Sequence, residues 1–262
     1  MDSKINSKID SKIQNGYSLE TGNLIDESIN TFKKTFLMSG VMMIILGIIS
    51  VIIYGAVFGI LYGFSDITTT LSNIESNKFN TLTLLTTIML STISSAILAP
   101  INAGFIHANH LARRNEDISM NVFFEFYKSK FFKDIFLAYL LIGFTIGILN
   151  VGLILLELNY LSYLIQFLIG LLTVFTTPLI IYGNQNFENA LIKSIKLFFK
   201  QPLLIFVALL LAIIGVLIGI IALCIGIFFT LPYYYSMIYA IYNQAIGFEE
   251  KSIIEEIGQT EI

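Results

Sequence analysis

The apolar residues of this chain run in long uncharged blocks, separated by short stretches where the charges collect. No Asp, Glu, Lys or Arg occurs at 35–65, 79–112, 135–156, 158–187 or 201–248. A helix needs about 20 apolar residues to cross a hydrocarbon core of roughly 30 Å, and the last block is long enough for two crossings. The pattern predicts spans at 37–63, 83–106, 135–156, 160–182, 202–221 and 224–245. The fold class expected is therefore all-α: a polytopic membrane protein with six transmembrane helices. It divides into a tail at 1–20, disordered or lying on a surface, a six-span membrane domain at 21–246, and a short C-terminal tail at 247–262.

Each segment that precedes an odd-numbered span reads as a short amphipathic helix in the membrane interface, so the six spans form three hairpins with an elbow before each. In the first elbow Leu24, Ile25, Ser28, Ile29, Phe32 and Phe36 fall at helical spacing. In the second, Ser119 is placed to cap a helix carrying Met120, Phe123, Phe124 and Tyr127; in the third, Asn186 is placed to cap one carrying Phe187, Leu191, Ile195 and Phe198. The first and third elbows align at an offset of 166, pairing Ser28 with Ser194, Ile29 with Ile195, Phe32 with Phe198 and Lys34 with Lys200. G-x-x-x-G spacing marks the odd spans, at Gly55, Gly59 and Gly63, at Gly143 and Gly147, and at Gly215 and Gly219. Pro100, Pro178 and Pro232 mark the even ones, and Pro202 opens the fifth span. Together these features predict a threefold internal repeat.

Charge sets the orientation. Lys and Arg number five before the first span, one at 65–81, five at 107–134, none at 157–159, three at 183–201 and one after 246, so alternate segments hold 14 and 1. The positive-inside rule then places both termini in the cytoplasm. With a net charge of −3, 56% hydrophobic and 13% charged residues, the composition excludes nucleic acid as a partner. The opening 34 residues mix acids with lysines, so membrane entry by insertion is expected rather than by a cleaved leader. The single cysteine, Cys224, supports neither a disulfide framework nor a cysteine-based zinc site.

Four short stretches carry a resemblance: P-I-N-A-G-F at 100–105, I-S-x-x-x-F-F-E-F at 118–126, E-N-A-L-I-K-S-I-K-L at 188–197 and G-I-F-F-T-L-P-Y at 226–233. In this order they resemble an uncharacterised family of bacterial six-span membrane proteins, related to the membrane domain attached to some glycerophosphodiester phosphodiesterases. The resemblance implies the shared membrane fold and the bacterial inner membrane. It supplies no catalytic residue, and no stretch here is long enough to hold the phosphodiesterase domain.

Candidate chemistry is sparse. No charged residue lies within a predicted span, which disfavours a proton-driven transporter. Glu157 is expected at an external helix end. His107 and His110 stand three apart but lack further ligands, so interfacial anchoring is the expectation. Neither H-E-x-x-H nor G-x-S-x-G occurs, and no enzyme, cofactor or metal is expected. Asn150 and Gln166 are neutral polar residues within spans, either packing glue or part of a solute pathway. Tyr235, Tyr239 and Tyr242 form a stripe at helical spacing, read as an aromatic belt or as a groove for a lipid tail or partner helix. Arg113, Arg114, Lys128, Lys130 and Lys133 are either an insertion signal or contacts to anionic headgroups. The expected role is thus a non-enzymatic membrane module that contacts lipids, with another membrane protein as a further candidate partner. The alternative is a transporter or channel for a neutral or lipid-like solute.

Overall fold

A computed structural model describes residues 2–62, 81–221 and 226–248. Among these, all regular structure is helical. In chain order the helices are α1 (Asp2–Asn15), α2 (Thr21–Tyr62), α3 (Thr81–Arg114), a 3-10 elbow (Met120–Tyr127), α4 (Phe132–Leu155) and, after a 3-10 turn at Asn159–Leu161, α5 (Ser162–Leu172). There follow α6 (Thr176–Ile181), α7 (Phe187–Phe198), α8 (Pro202–Ile221), α9 (Gly226–Thr230) and α10 (Tyr233–Ala245). Five segments are long and apolar enough to cross a membrane: Thr21–Val57, Leu84–Arg114, Phe132–Leu155, Asn159–Ile181 and Pro202–Ile220. Their large apolar side chains point outward in number, among them Val51, Ile52, Met89, Leu155, Leu203 and Ile218, as lipid-facing helices require. The expected external loop at 65–81 and the turn between the fifth and sixth spans fall, but for Thr81 and Ile221, outside the described residues.

The last charge-free stretch differs from expectation. In place of one continuous helix over 224–245, α9 and α10 are separated at Leu231–Pro232. Proline lacks an N–H and its ring crowds the carbonyl four residues back, so the ladder stops there. With 13 residues, α10 is about 20 Å long, short of a bilayer core. The fourth span is interrupted in the same way at Thr173–Phe175, between α5 and α6. The break falls around Val174, the carbonyl that Pro178 would crowd. Ser194 of α7 repairs it, since its hydroxyl accepts from Phe175 N at 3.1 Å and donates to Leu172 O at 2.8 Å. Pro100, by contrast, sits inside an unbroken α3.

The three elbows also depart from one another. The first is not a separate helix: it runs on into the first span as the 42-residue α2. At about 63 Å, α2 is roughly twice the hydrocarbon thickness, so its polar first third must extend beyond the core. The second is 3-10 rather than α, and Ser119, although at its cap position, makes no side-chain capping bond. The third is the α-helix expected, with Asn189 N donating to the Asn186 cap at 3.0 Å. The first elbow packs on α10, the second on α3 and the third on α6.

The residues expected as a disordered or surface-lying tail contain α1, whose apolar stripe docks on the protein. Ile5 and Ile9 are buried, and Ile13 packs beside them. Lys193 pairs with Asp10 at 2.8 Å, and Tyr17 donates to Leu197 O at 2.8 Å. Burial raises the Tyr17 pKa, which keeps the phenol a donor. At the other end Phe248 tucks among His110, Tyr182 and Tyr239.

Glycine governs how closely the helices approach, though not everywhere the pattern implied. A Cβ built on Gly143 would meet the Ser91 carbonyl of α3 at 2.9 Å, and one on Gly147 would meet Ser91 Oγ at 2.7 Å. Gly215 faces the Tyr233 ring at 2.7 Å and Gly219 the backbone of Gly226. A Cβ built on Gly55 would meet nothing within 4 Å among the described residues.

Candidate functional site

Beside the two helix breaks lies a cavity of about 220 Å³ between α3, α4, α5, α6 and α10. Its apolar wall includes Ile106, Ile142, Ile146, Ile169 and Ile238, and its polar wall Asn102, Tyr139, Gln166, Thr177, Tyr234 and Tyr235. Local structure explains the convergence. Asn102 is two residues past Pro100 on α3, and the restart of the chain at Pro232 puts the consecutive Tyr234 and Tyr235 in the first turn of α10. Tyr235 is held by stacking on Phe105, with ring centroids 5.0 Å apart and planes at 13°.

Some of the polar groups satisfy each other. Tyr235 Oη donates to Asn102 Oδ1 at 2.7 Å, and the Tyr139 and Thr177 hydroxyls are 2.8 Å apart. Others are left over: among the described residues the half-buried Asn102 amide nitrogen and Tyr234 hydroxyl and the exposed Gln166 amide make no hydrogen bond. On the other side of the Asn102–Tyr235 pair is a second cavity of about 240 Å³, lined by Met43, Leu46, Gly47, Ser50, Leu98 and Phe228 among others. The two cavities have only Asn102 and Tyr235 in common.

The structure therefore unites two of the residues singled out in the sequence, Gln166 and Tyr235, at one site. Asn150 is elsewhere on α4, half-buried, with an Oδ1 that has no hydrogen-bond partner among the described residues. Tyr239 and Tyr242 are 0% exposed, and they form neither an interfacial belt nor an open groove. They sit in a closed aromatic cluster instead. Tyr239 stacks on Phe248 with centroids 5.1 Å apart, and Tyr242 packs on Tyr182 at 5.9 Å. The same cluster accounts for the histidines. His107 Nδ1 is 3.1 Å from Tyr182 Oη, His107 Nε2 is 3.8 Å from Glu125, and His110 packs on Phe248 at 4.5 Å. Among the described residues no three His, Cys, Asp or Glu side chains gather as a metal site.

The five-residue basic cluster divides by location. Arg113 lies 3.6 Å from Glu27, and Arg114 pairs with Glu116 at 2.5 Å. Lys128, Lys130 and Lys133 are exposed and form no ion pair among the described residues, although Lys130 Nζ stands 4.9 Å above the Phe131 ring. Beside them on the 3-10 elbow Phe124 is exposed. Ile192 and Ile195 on α7 and Phe199 just past its end form a second exposed ridge, next to the exposed Lys196 and Lys200.

Asn102, Tyr139, Thr177 and Tyr234 are the polar lining residues outside those singled out in the sequence. Asn102 meets the criterion that selected Asn150 and Gln166, an uncharged amide inside a charge-free block, but it lies nearer the charged end of that block. Comparison with known protein families finds no matching family model, and no curated protein and no solved structure matches the chain.

Proposed function

We propose that this chain is a non-enzymatic protein of the bacterial inner membrane that acts as a lipid-contacting module. In this reading it has six spans, the sixth made of α9 and α10, and both termini are cytoplasmic. The observation that carries it is the pair of exposed apolar patches, Phe124 on the 3-10 elbow and Ile192, Ile195 and Phe199 on and just past α7, each flanked by exposed lysines. An interfacial element with apolar side chains toward the acyl boundary and cations at headgroup level binds anionic lipid. An apolar groove of about 460 Å³ between the first elbow and α8, with Lys33 among its lining residues, fits the same role. The resemblance to bacterial six-span proteins belongs to this proposal, and so does the threefold repeat. Each elbow packs on an even span at or near its proline, and the aligned Ser28 and Ser194 both reach toward the interrupted ones.

The test is native mass spectrometry of the purified protein with cardiolipin or phosphatidylglycerol. At about 1 kcal/mol per cation near the surface, changing Lys128, Lys130 and Lys133 together to Gln lowers lipid retention by about one to two orders of magnitude. Equal retention in both proteins would reduce the lysines to an insertion signal. Topology is checked separately, in a Cys224→Ser background. Cysteine in place of Thr69 reacts with a membrane-impermeant maleimide in intact cells, whereas cysteine in place of the exposed Asp117 does not; the reverse pattern sinks the orientation.

A second reading, transport or conduction of a neutral or lipid-like solute, is favoured by a separate observation. The fourth and sixth spans are both interrupted, at Thr173–Phe175 and Leu231–Pro232, beside the same cavity. Discontinuous helices next to a site within the membrane are the arrangement by which many transporters expose backbone and polar side chains to solute.

A further inference from the structure

From the cavity we infer a binding site for an uncharged amphiphile, a molecule with a hydroxyl head and an alkyl body, and a latch, Asn102–Tyr235, that such a ligand opens. The inference deepens the transport reading by naming the solute class, and rests on that reading only for what the binding accomplishes.

Three features define the ligand. First, no Asp, Glu, Lys, Arg or His lines the cavity, so a charged head would have nothing to pair with and would carry its full desolvation cost. Second, the half-buried Asn102 amide nitrogen and Tyr234 hydroxyl and the exposed Gln166 amide line one space without a hydrogen bond among the described residues. Polar groups away from bulk water seek partners, and a hydroxyl, as donor and acceptor at once, suits two amides and a phenol. Third, most of the remaining lining is isoleucine and valine, which favours an alkyl group over water alone. At about 220 Å³ the space equals roughly seven waters, enough for a short chain and its head but not for a whole phospholipid.

The latch follows from the shared wall. Tyr235 Oη donates to Asn102 Oδ1 at 2.7 Å, and these two residues are the ones common to both cavities. A ligand hydroxyl that hydrogen-bonds to Asn102 competes with the tyrosine. Once Tyr235 turns away, the space beside Gln166 opens into the one beside Ser50, and a longer alkyl chain can lie across both.

The probe is a diazirine-bearing octanol, used to photolabel the purified protein in mild detergent, with adducts mapped by peptide mass spectrometry. A diazirine-bearing octane without the hydroxyl serves as control. The site predicts adducts concentrated on lining residues such as Ile106, Tyr139, Ile142 and Ile238, at least fivefold above the hydroxyl-free probe. Asn102→Leu cuts labelling there about tenfold. Tyr235→Phe frees the Asn102 acceptor, retains the labelling and spreads adducts to Met43 and Leu46. Thermal unfolding of each variant identifies one that has lost its fold; if Asn102→Leu has, Gln166→Leu takes its place with the same expectation. Equal labelling by both probes, or adducts scattered over the lipid-facing sides of α2 and α8, overturns the site and leaves a cavity filled by water or detergent. Adducts confined to the first cavity in Tyr235→Phe overturn the latch. Flux of the same alcohol into proteoliposomes is a separate measurement: labelling without flux removes transport and leaves the site standing.

Discussion

Gly143→Leu is expected to destabilise the protein by about 3 kcal/mol, the upper end of what overpacking costs, while Gly55→Leu leaves stability within about 0.5 kcal/mol. Both residues begin a G-x-x-x-G pair, so sequence alone ranks them together. Their surroundings do not. At Gly143 a Cβ would be 2.9 Å from the Ser91 carbonyl, a backbone atom of α3 that cannot turn aside, and closer still to the Ser95 hydroxyl. That hydroxyl donates to Tyr139 O at 2.8 Å, so the α3–α4 seam combines close backbone approach with an interhelical hydrogen bond. A leucine forces the helices apart, and the hydrogen bond goes with the packing. Among the described residues a Cβ on Gly55 would have no neighbour within 4 Å. Thermal unfolding of both variants in the same detergent decides between them. Equal losses would mean that Gly55 is packed after all, and equal tolerance would mean that the α3–α4 seam is not tight.

Gly143 and Gly55 also mark the limit of what the pattern carried. Periodicity locates a small residue on a helix, but whether a neighbour comes to meet it depends on how the helices are arranged in space. The same limit applies to the spans. Charge-free blocks placed α3, α4 and α8 within a few residues, because the cost of burying a charge in lipid is the strongest constraint on such a chain. The break at Thr173–Phe175 was not legible. Its residues are ordinary span residues, and its cause is Pro178, several positions on and aided by Ser194 from a different helix. Pro100 carries the same local signal and breaks nothing. The elbow at Phe187–Phe198 was readable because its cap and its apolar stripe are both local. The docking of α1 was not legible, because it rests on Lys193, on Leu197 through Tyr17 just past the helix end, and on other distant partners rather than on its own polar composition.

The site was half legible for a related reason. Gln166 and Tyr235 stood out as polar or aromatic residues in apolar blocks, but nothing local linked Gln166 to Asn102, 64 positions earlier. Their convergence needs the α10 restart at Pro232 and the packing of four other helices around it. The basic cluster was legible as a cluster and illegible as a division, since Glu27 comes to Arg113 from the far end of the chain.

Tyr239→Ala is expected to cost about 3–5 kcal/mol, the range for removing a large buried side chain, whereas Tyr239→Phe costs about 1–2 kcal/mol, the loss of one hydrogen bond to Arg113. Every residue from Ser236 to Tyr242 is buried, because α10 is enclosed by α2, α3 and α8 and has no face toward lipid. Within it Tyr239 fills the space between His110, with centroids 6.1 Å apart, and Phe248, stacked at 5.1 Å and 15°. Truncation to Ala leaves a void against both and frees Phe248, the residue that fastens the C-terminal end to the bundle. The hydroxyl, which hydrogen-bonds to the Arg113 side chain and lies 3.4 Å from His110 Nδ1, contributes less than the ring, because removing it leaves the packing in place. Thermal unfolding in mild detergent measures both variants, and limited proteolysis of the C-terminal end should show faster cleavage in Tyr239→Ala alone. A tyrosine in an interfacial belt would give the other result: at the membrane surface water and headgroups fill the place of a lost ring, and Ala would be tolerated nearly as well as Phe. That outcome would move Tyr239 out of the core and restore the exposed stripe inferred from its spacing.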